Sequence, residues 1–204
     1  MRIRRGTAIA AACAALLAGV TACGSTTEGS SGGDAAAGPV QLYGTDGNMI
    51  SSFGDEFDQP GTLRGMKGTT PMTPLTDDFK NRLKTIDPDL ADYVYSGETY
   101  DAVIMSAIAA ELAHSTTPAK IAEQLIGVPT GGTPCDTAKT CLALAAAGKD
   151  LAYRGVSMRS GGFTDAGEPS VASYATLHFD SQDQLDEGKM EFVGAGDETL
   201  TSTK

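Results

Sequence analysis

Basic residues are scarce and scattered. The 204-residue chain carries 15 lysines and arginines against 26 acids, a formal net charge of −11. No cluster of them makes a positive face, so neither nucleic acid nor anionic lipid head groups are expected partners. Histidines number two, His114 and His178, and neither bears a sequence relation to the cysteines. A histidine-based metal site or catalytic triad therefore has no pattern to rest on, and both residues read as surface or boundary positions. The chain lacks G-x-S-x-G, H-E-x-x-H, P-loop and G-x-G-x-x-G motifs, so no enzymatic activity, cofactor or metal is expected. Asp165, Gly167 and Glu168 are too sparse for a calcium loop and read as a turn. Long hydrophobic runs are missing as well. A bilayer-spanning helix needs about 20 apolar residues, and the Ala-rich run at 7–20 is shorter and only weakly hydrophobic.

That run has a different meaning. Arg2, Arg4 and Arg5 precede it, and Val20-Thr21-Ala22-Cys23 follows, which is the layout of an export signal ending in a lipobox. In a lipobox a branched residue, a small residue and Ala or Gly stand before a cysteine whose sulfur carries diacylglycerol. An ordinary secretory signal with a chance cysteine is the competing reading, and Arg4-Arg5 leaves the twin-arginine route open. Residues 1–22 are thus the expected lipoprotein signal peptide. Cys23 is the expected lipidation site, holding the protein on the extracytoplasmic face of the cell membrane through lipid alone. Three arginines and no acids leave with the signal, so the net charge of −11 becomes −14. Residues 23–38, nearly all Gly, Ser, Thr, Ala and acid, form a flexible tether that cannot bury enough apolar surface to offset its ordering entropy. Residues 39–185 suffice for one domain. Residues 186–204 read as a polar tail, frayed beyond Gly188.

Of four cysteines, Cys13 falls in the signal and Cys23 at the anchor, which leaves Cys135 and Cys141. In an oxidising compartment their C-x5-C spacing reads as a local disulfide between a loop and a helix start capped by Asp136. A metal or redox site is the alternative, although two soft ligands are few for a metal.

The domain alternates strand and helix signals. An apolar strand at 40–43 runs into the turn-rich Gly-Thr-Asp-Gly-Asn at 44–48, and a weak helical turn follows at 53–57. Residues 63–70 read as a second strand. Thr76 caps a helix at 77–84 with Asp77 and Asp78 in its first turn. Apolar residues recur at helical spacing over 91–113, with a break near Ser96-Gly97. Thr117-Pro118 opens a helix at 119–126, and residues 137–147 make another, ended by Gly148. Branched and aromatic residues then mark a strand at 171–179.

Five segments stand in sequence: Y-G-T-D-G-N (43–48), R-G-M-K-G-T-T-P (64–71), E-T-Y-D-A-V-I-M-S-A-I-A-A-E-L (98–112), S-T-T-P-A-K-I-A-E-Q-L (115–125) and G-G-F-T-D-A-G-E-P (161–169). Together they resemble the C-terminal part of type 1 periplasmic binding proteins, most closely the branched-chain amino acid or leucine-binding group serving ABC importers. The cysteine pair followed by A-A-A-G-K-D-L-A-Y-R-G resembles the actinobacterial members. The resemblance covers residues 40–179. It implies an α/β class with a partial type 1 periplasmic-binding-protein-like fold and an incomplete two-lobe architecture, since the family's N-terminal section, with the hydroxyls and amides that hold the ligand carboxylate, has no counterpart here. It also implies that Asp46, with Gly47 beside it, matches the acidic position meeting a ligand's ammonium group; without it, Asp-Gly is a common turn pair. The partners it implies are an amino acid or related small solute, an ABC permease, and a separate chain supplying the missing lobe. The alternative is a truncated envelope lipoprotein that binds no solute and acts through interactions. A partial sheet of this kind would expose strand edges and an apolar face.

The anchor is directly testable. Each buried methylene contributes about 0.8 kcal/mol, so two or three acyl chains bind a membrane far more firmly than one. Cys23→Ser is expected to release the protein from membranes or to block its processing. Equal sedimentation of wild type and variant in detergent-free fractionation contradicts the lipidation.

Overall fold

Threonine hydroxyls start two of the four α-helices among the described residues. The structure, a computed structural model, describes residues 40–196; the expected signal, anchor and tether lie outside the described residues. In α1 (Asp77–Ile86) the Thr76 hydroxyl accepts from the Phe79 amide at 3.3 Å, while Asp77 and Asp78 in the first turn and Lys84 in the last complement the helix dipole. In α4 (Ala138–Ala146) the cap is Thr137, which accepts from the Thr140 amide at 3.2 Å. The expected cap, Asp136, stands one residue too early, because Thr137 itself holds the extended cap conformation. Pro118 opens α3 (Pro118–Leu125), where its missing N–H costs nothing. The long periodic segment becomes α2 (Ser96–Leu112), beginning at the expected break behind Tyr95 in a left-handed conformation (φ 61°).

The strands form a mixed α/β arrangement. A four-stranded sheet has the order β1 (Tyr43–Thr45), β2 (Lys67–Pro71), β5 (Val171–His178), β6 (Glu191–Gly196). Only β1 and β2 run parallel; β5 is antiparallel to β2, with Pro71 opposite Tyr174, and β6 is antiparallel to β5. A second, parallel pair joins β3 (Thr133–Cys135) to β4 (Leu151–Tyr153).

Three strand expectations need correction. The first strand begins at Tyr43, not at residue 40, and Val40 is 87% exposed. The second begins at Lys67, because residues 60–65 turn around the buried Asp183 carboxylate, which accepts from the Gly61 and Leu63 amides at 2.7 Å each. The tail beyond Gly188 is ordered as far as the described residues run, to Gly196: residues 187–189 form a 3-10 turn, and β6 follows on the sheet edge. Every residue of β6 is exposed, so its order comes from the backbone ladder with β5 and carries no alternating apolar pattern.

Two apolar clusters result. One gathers Met105, Ile108 and Ala109 of α2 with Val128, Cys141, Ala145 and Tyr153. The other packs Met49, Leu63, Met66, Met72 and Tyr93 beneath Ala175 and Leu177 of β5, whose alternate residues face inward. No helix among the described residues is long and apolar enough to cross a membrane.

Cys135 at the end of β3 and Cys141 within α4 have their sulfurs at disulfide distance, with Cα atoms 5.4 Å apart, and both lie in the first cluster. They are six residues apart, so the chain-entropy gain falls at the low end of about 2 to 4 kcal/mol. Non-reduced protein is expected to show no alkylatable thiol at these positions, and Cys135→Ser with Cys141→Ser to melt lower. Two reactive thiols in exported material refute the bond.

Candidate functional site

The carboxyl ends of parallel strands are where an α/β sheet opens a crevice, since the chain leaves in loops there. Asp46 stands directly after β1 at such an end, in a 3-10 turn closed by the Met49 amide donating to the Asp46 carbonyl at 2.9 Å. Its φ of +54° is a conformation aspartate adopts more readily than bulkier residues. The side chain is exposed, and the Tyr95 hydroxyl donates to its Oδ1. The Thr70 hydroxyl, from the neighbouring β2, donates to the Tyr95 oxygen at 3.3 Å. Gly47 is exposed beside it, with no atom within 4 Å of where a Cβ would stand. Thus the two expected ligand-binding residues lie together at the strand end, with one carboxylate fixed on one side and open on the other.

Tyr95 also begins a row that sequence reading missed. Tyr95, Glu98 and Asp101 follow at intervals of three along the start of α2, so they share a face. Asp101 is 1% exposed, and its carboxylate accepts from the Tyr153 hydroxyl (2.8 Å), the Val156, Ser157 and Met158 amides (2.9, 2.6 and 2.9 Å) and the Ser157 hydroxyl (2.8 Å). Burial, and then the Asp101 carboxylate, push the Tyr153 phenol far above its ordinary range. Gly155 passes so close that a Cβ there would strike the Asp101 carboxylate.

Glu98, one turn earlier, is treated oppositely. Its Oε2 is the one buried side-chain oxygen or nitrogen among the described residues without a hydrogen-bond partner. Burial raises its carboxyl above the ordinary value; the Asp101 charge adds to this, and backbone amides at Glu98 and Thr73 oppose it. Glu98 and Asp101 are both among the residues lining a cavity of about 400 Å³ between α2 and the start of β5.

A second cleft, about 520 Å³, lies among Arg82, Arg154 and Arg159 near the starts of α1 and α4. Two of these guanidiniums are structural ties. Arg154 donates to the Pro129, Tyr153 and Gly161 carbonyls, and Arg159 to those of Pro74 and Val156. Arg82 stacks over Phe79 and Tyr100. His114 follows α2 and His178 ends β5. No group of three or more His, Cys, Asp or Glu side chains among the described residues could hold a metal ion. Cys23 lies outside the described residues.

The signal for the missed row was E-T-Y-D, two acids one turn apart at the start of a largely apolar helix. The buried face of a helix carries acids only where they have partners or a use.

Glu98 yields a pH prediction. Its carboxyl titrates higher in the fold than its ordinary value of 4.5, so the folded state holds the proton more tightly. Stability is then full below the unfolded value and falls as pH rises through the folded one. Glu98→Gln is expected to melt higher than wild type at pH 7, with the difference vanishing toward about pH 4. A difference independent of pH removes the titration as its cause.

Comparison with models of known families, with curated proteins and with solved structures finds no match to this chain.

Proposed function

We propose that this protein is a solute-binding lipoprotein of an ABC importer for amino acids or similar small zwitterions, lipid-anchored at Cys23 and built on part of a type 1 periplasmic-binding-protein-like fold. One observation carries the reading: the Asp46 carboxylate stands open at the carboxyl end of β1, oriented by Tyr95 and backed by Thr70. That is an acceptor placed for an ammonium group in the crevice where such sheets bind ligands. The order of the five sequence segments supports the same family.

The chemistry bounds the affinity. An exposed ion pair contributes about 0 to 1 kcal/mol, so Asp46 by itself holds an amino acid no better than in the millimolar range. Tight binding requires a surface that dehydrates the pair and neutralises the ligand's carboxylate. A second reading, an envelope interaction protein, is favoured by the edge at β1, where Leu42 and Tyr43 are 46% and 69% exposed. The two readings join if a partner chain covers that edge and completes the cleft.

In an NMR titration of the mature chain, millimolar leucine or valine is expected to shift amide resonances at Asp46–Asn48 and around Tyr95. Asp46→Ala is expected to abolish those shifts. Saturation curves that Asp46→Ala leaves unchanged, or no shifts at this turn, overturn the assignment.

A further inference from the structure

Glu98 presents an unresolved demand: a carboxylate partly removed from water with one oxygen sealed and unpartnered. A buried acceptor left without a hydrogen bond is rare in folded proteins and calls for a reason. Here the reason lies in the neighbouring cavity.

We propose that the cavity between α2 and the start of β5 binds a small apolar molecule bearing a primary ammonium group, with that ammonium on the Glu98 carboxylate. At about 400 Å³, the space is within the range of about 300 to 1,000 Å³ common for small-molecule sites. Its walls include Pro71, Met105, Met158, Phe163, Val171 and Tyr174, and no basic residue borders it. Of the two acids that line it, Asp101 is already saturated by five donors, whereas the Glu98 carboxyl has the backbone amides of Glu98 and Thr73 beside it and keeps Oε2 without a partner. The terminal torsion of a glutamate is soft and two-fold, so a small rotation turns either oxygen toward the cavity. An ammonium brings three donors and a positive charge. A neutral ligand leaves the carboxylate's charge uncompensated, and an anion meets two carboxylates and no cation. The chain's net charge of −11 draws cations to it as well.

This goes beyond the amino acid reading. None of residues 43–48 borders the cavity, and a free amino acid would carry its own carboxylate against Glu98 and Asp101. The cavity therefore selects amines over amino acids, the reverse of what a zwitterion receptor at Asp46 does.

Calorimetry with 2-phenylethylamine, set beside 2-phenylethanol, 3-phenylpropionate and phenylalanine, reads this selectivity in the purified protein. The amine is expected to bind saturably and the other three about tenfold more weakly or worse, in line with a charged hydrogen bond. Glu98→Gln, which keeps the side-chain volume, is expected to lose about tenfold or more for the amine. Ala102→Trp, at the exposed cavity wall on α2, is expected to block binding while leaving the carboxylate in place. Amide shifts with the amine are expected at Met105, Met158 and Phe163. Absence of saturable amine binding, equal binding of the alcohol, full binding by Glu98→Gln, or shifts confined to the Asp46 turn each overturn the proposal. None of these outcomes depends on whether amino acids bind at Asp46.

Discussion

The Asp101 carboxylate is the constraint around which this chain is arranged. Bringing an unpaired carboxylate out of water costs several kcal/mol, and Asp101 is 1% exposed. Five donors offset that cost, three of them successive amides of residues 156–158. Successive amides turned toward one point form a small anion-binding concavity; here the anion belongs to the chain itself. The segment so held lies between β4, in the first apolar cluster, and β5, one of the two inner strands of the four-stranded sheet. Losing the carboxylate would orphan those amides and the Tyr153 hydroxyl together, and a buried donor without a partner costs about 1 to 3 kcal/mol each. It would also release Ser157 and Met158, which border the cavity beside Glu98.

Glu98 and Asp101, two of the three acids on α2, show how position decides the role of identical chemistry. Asp101 has a short side chain facing a loop full of donors, and becomes structural. Glu98, one turn nearer the helix start, reaches an apolar space with few donors and is left costly. At 98 an acid in the first turn complements the helix dipole, while its burial raises its carboxyl above the ordinary value. Asp46 is a third case, exposed and oriented, and inexpensive to keep. Both outer edges of the sheet show apolar side chains, Leu42 and Tyr43 beside β1 and Phe192 and Val193 on β6, which is exposed along its whole length and held by its ladder to β5.

Local chemistry was readable from sequence wherever the interaction spans a few residues. Thr76, Pro118 and the break before α2 concern hydroxyls, rings and turns acting over one helical turn, and the structure has them where expected. The shift from Asp136 to Thr137 at α4 is an error of one residue between two competent caps. The cysteine pair was readable for the same reason, being six residues apart. What escaped is long-range. Asp101 meets Ser157 across 56 residues and Tyr95 meets Asp46 across 49, and no period or cap announces such bonds. β3 and β4 have three residues each and are too short for an alternating pattern. β6 escaped because a strand that buries neither face, held by its ladder alone, carries no alternating pattern. The α/β class was legible. Its mixed sheet was not, since the direction of β5 is set by pairing with β2.

Gly155 runs against the Asp101 carboxylate with no room for a Cβ. The two positions therefore share one volume and cannot drift independently. A relative with any side chain at the position of Gly155 must have shortened or lost the acid at the position of Asp101, and one that keeps the acid must keep the glycine. The pair is in effect a spelling rule, G with D, by which distant copies of this fold can be sorted when the rest of their sequences have diverged.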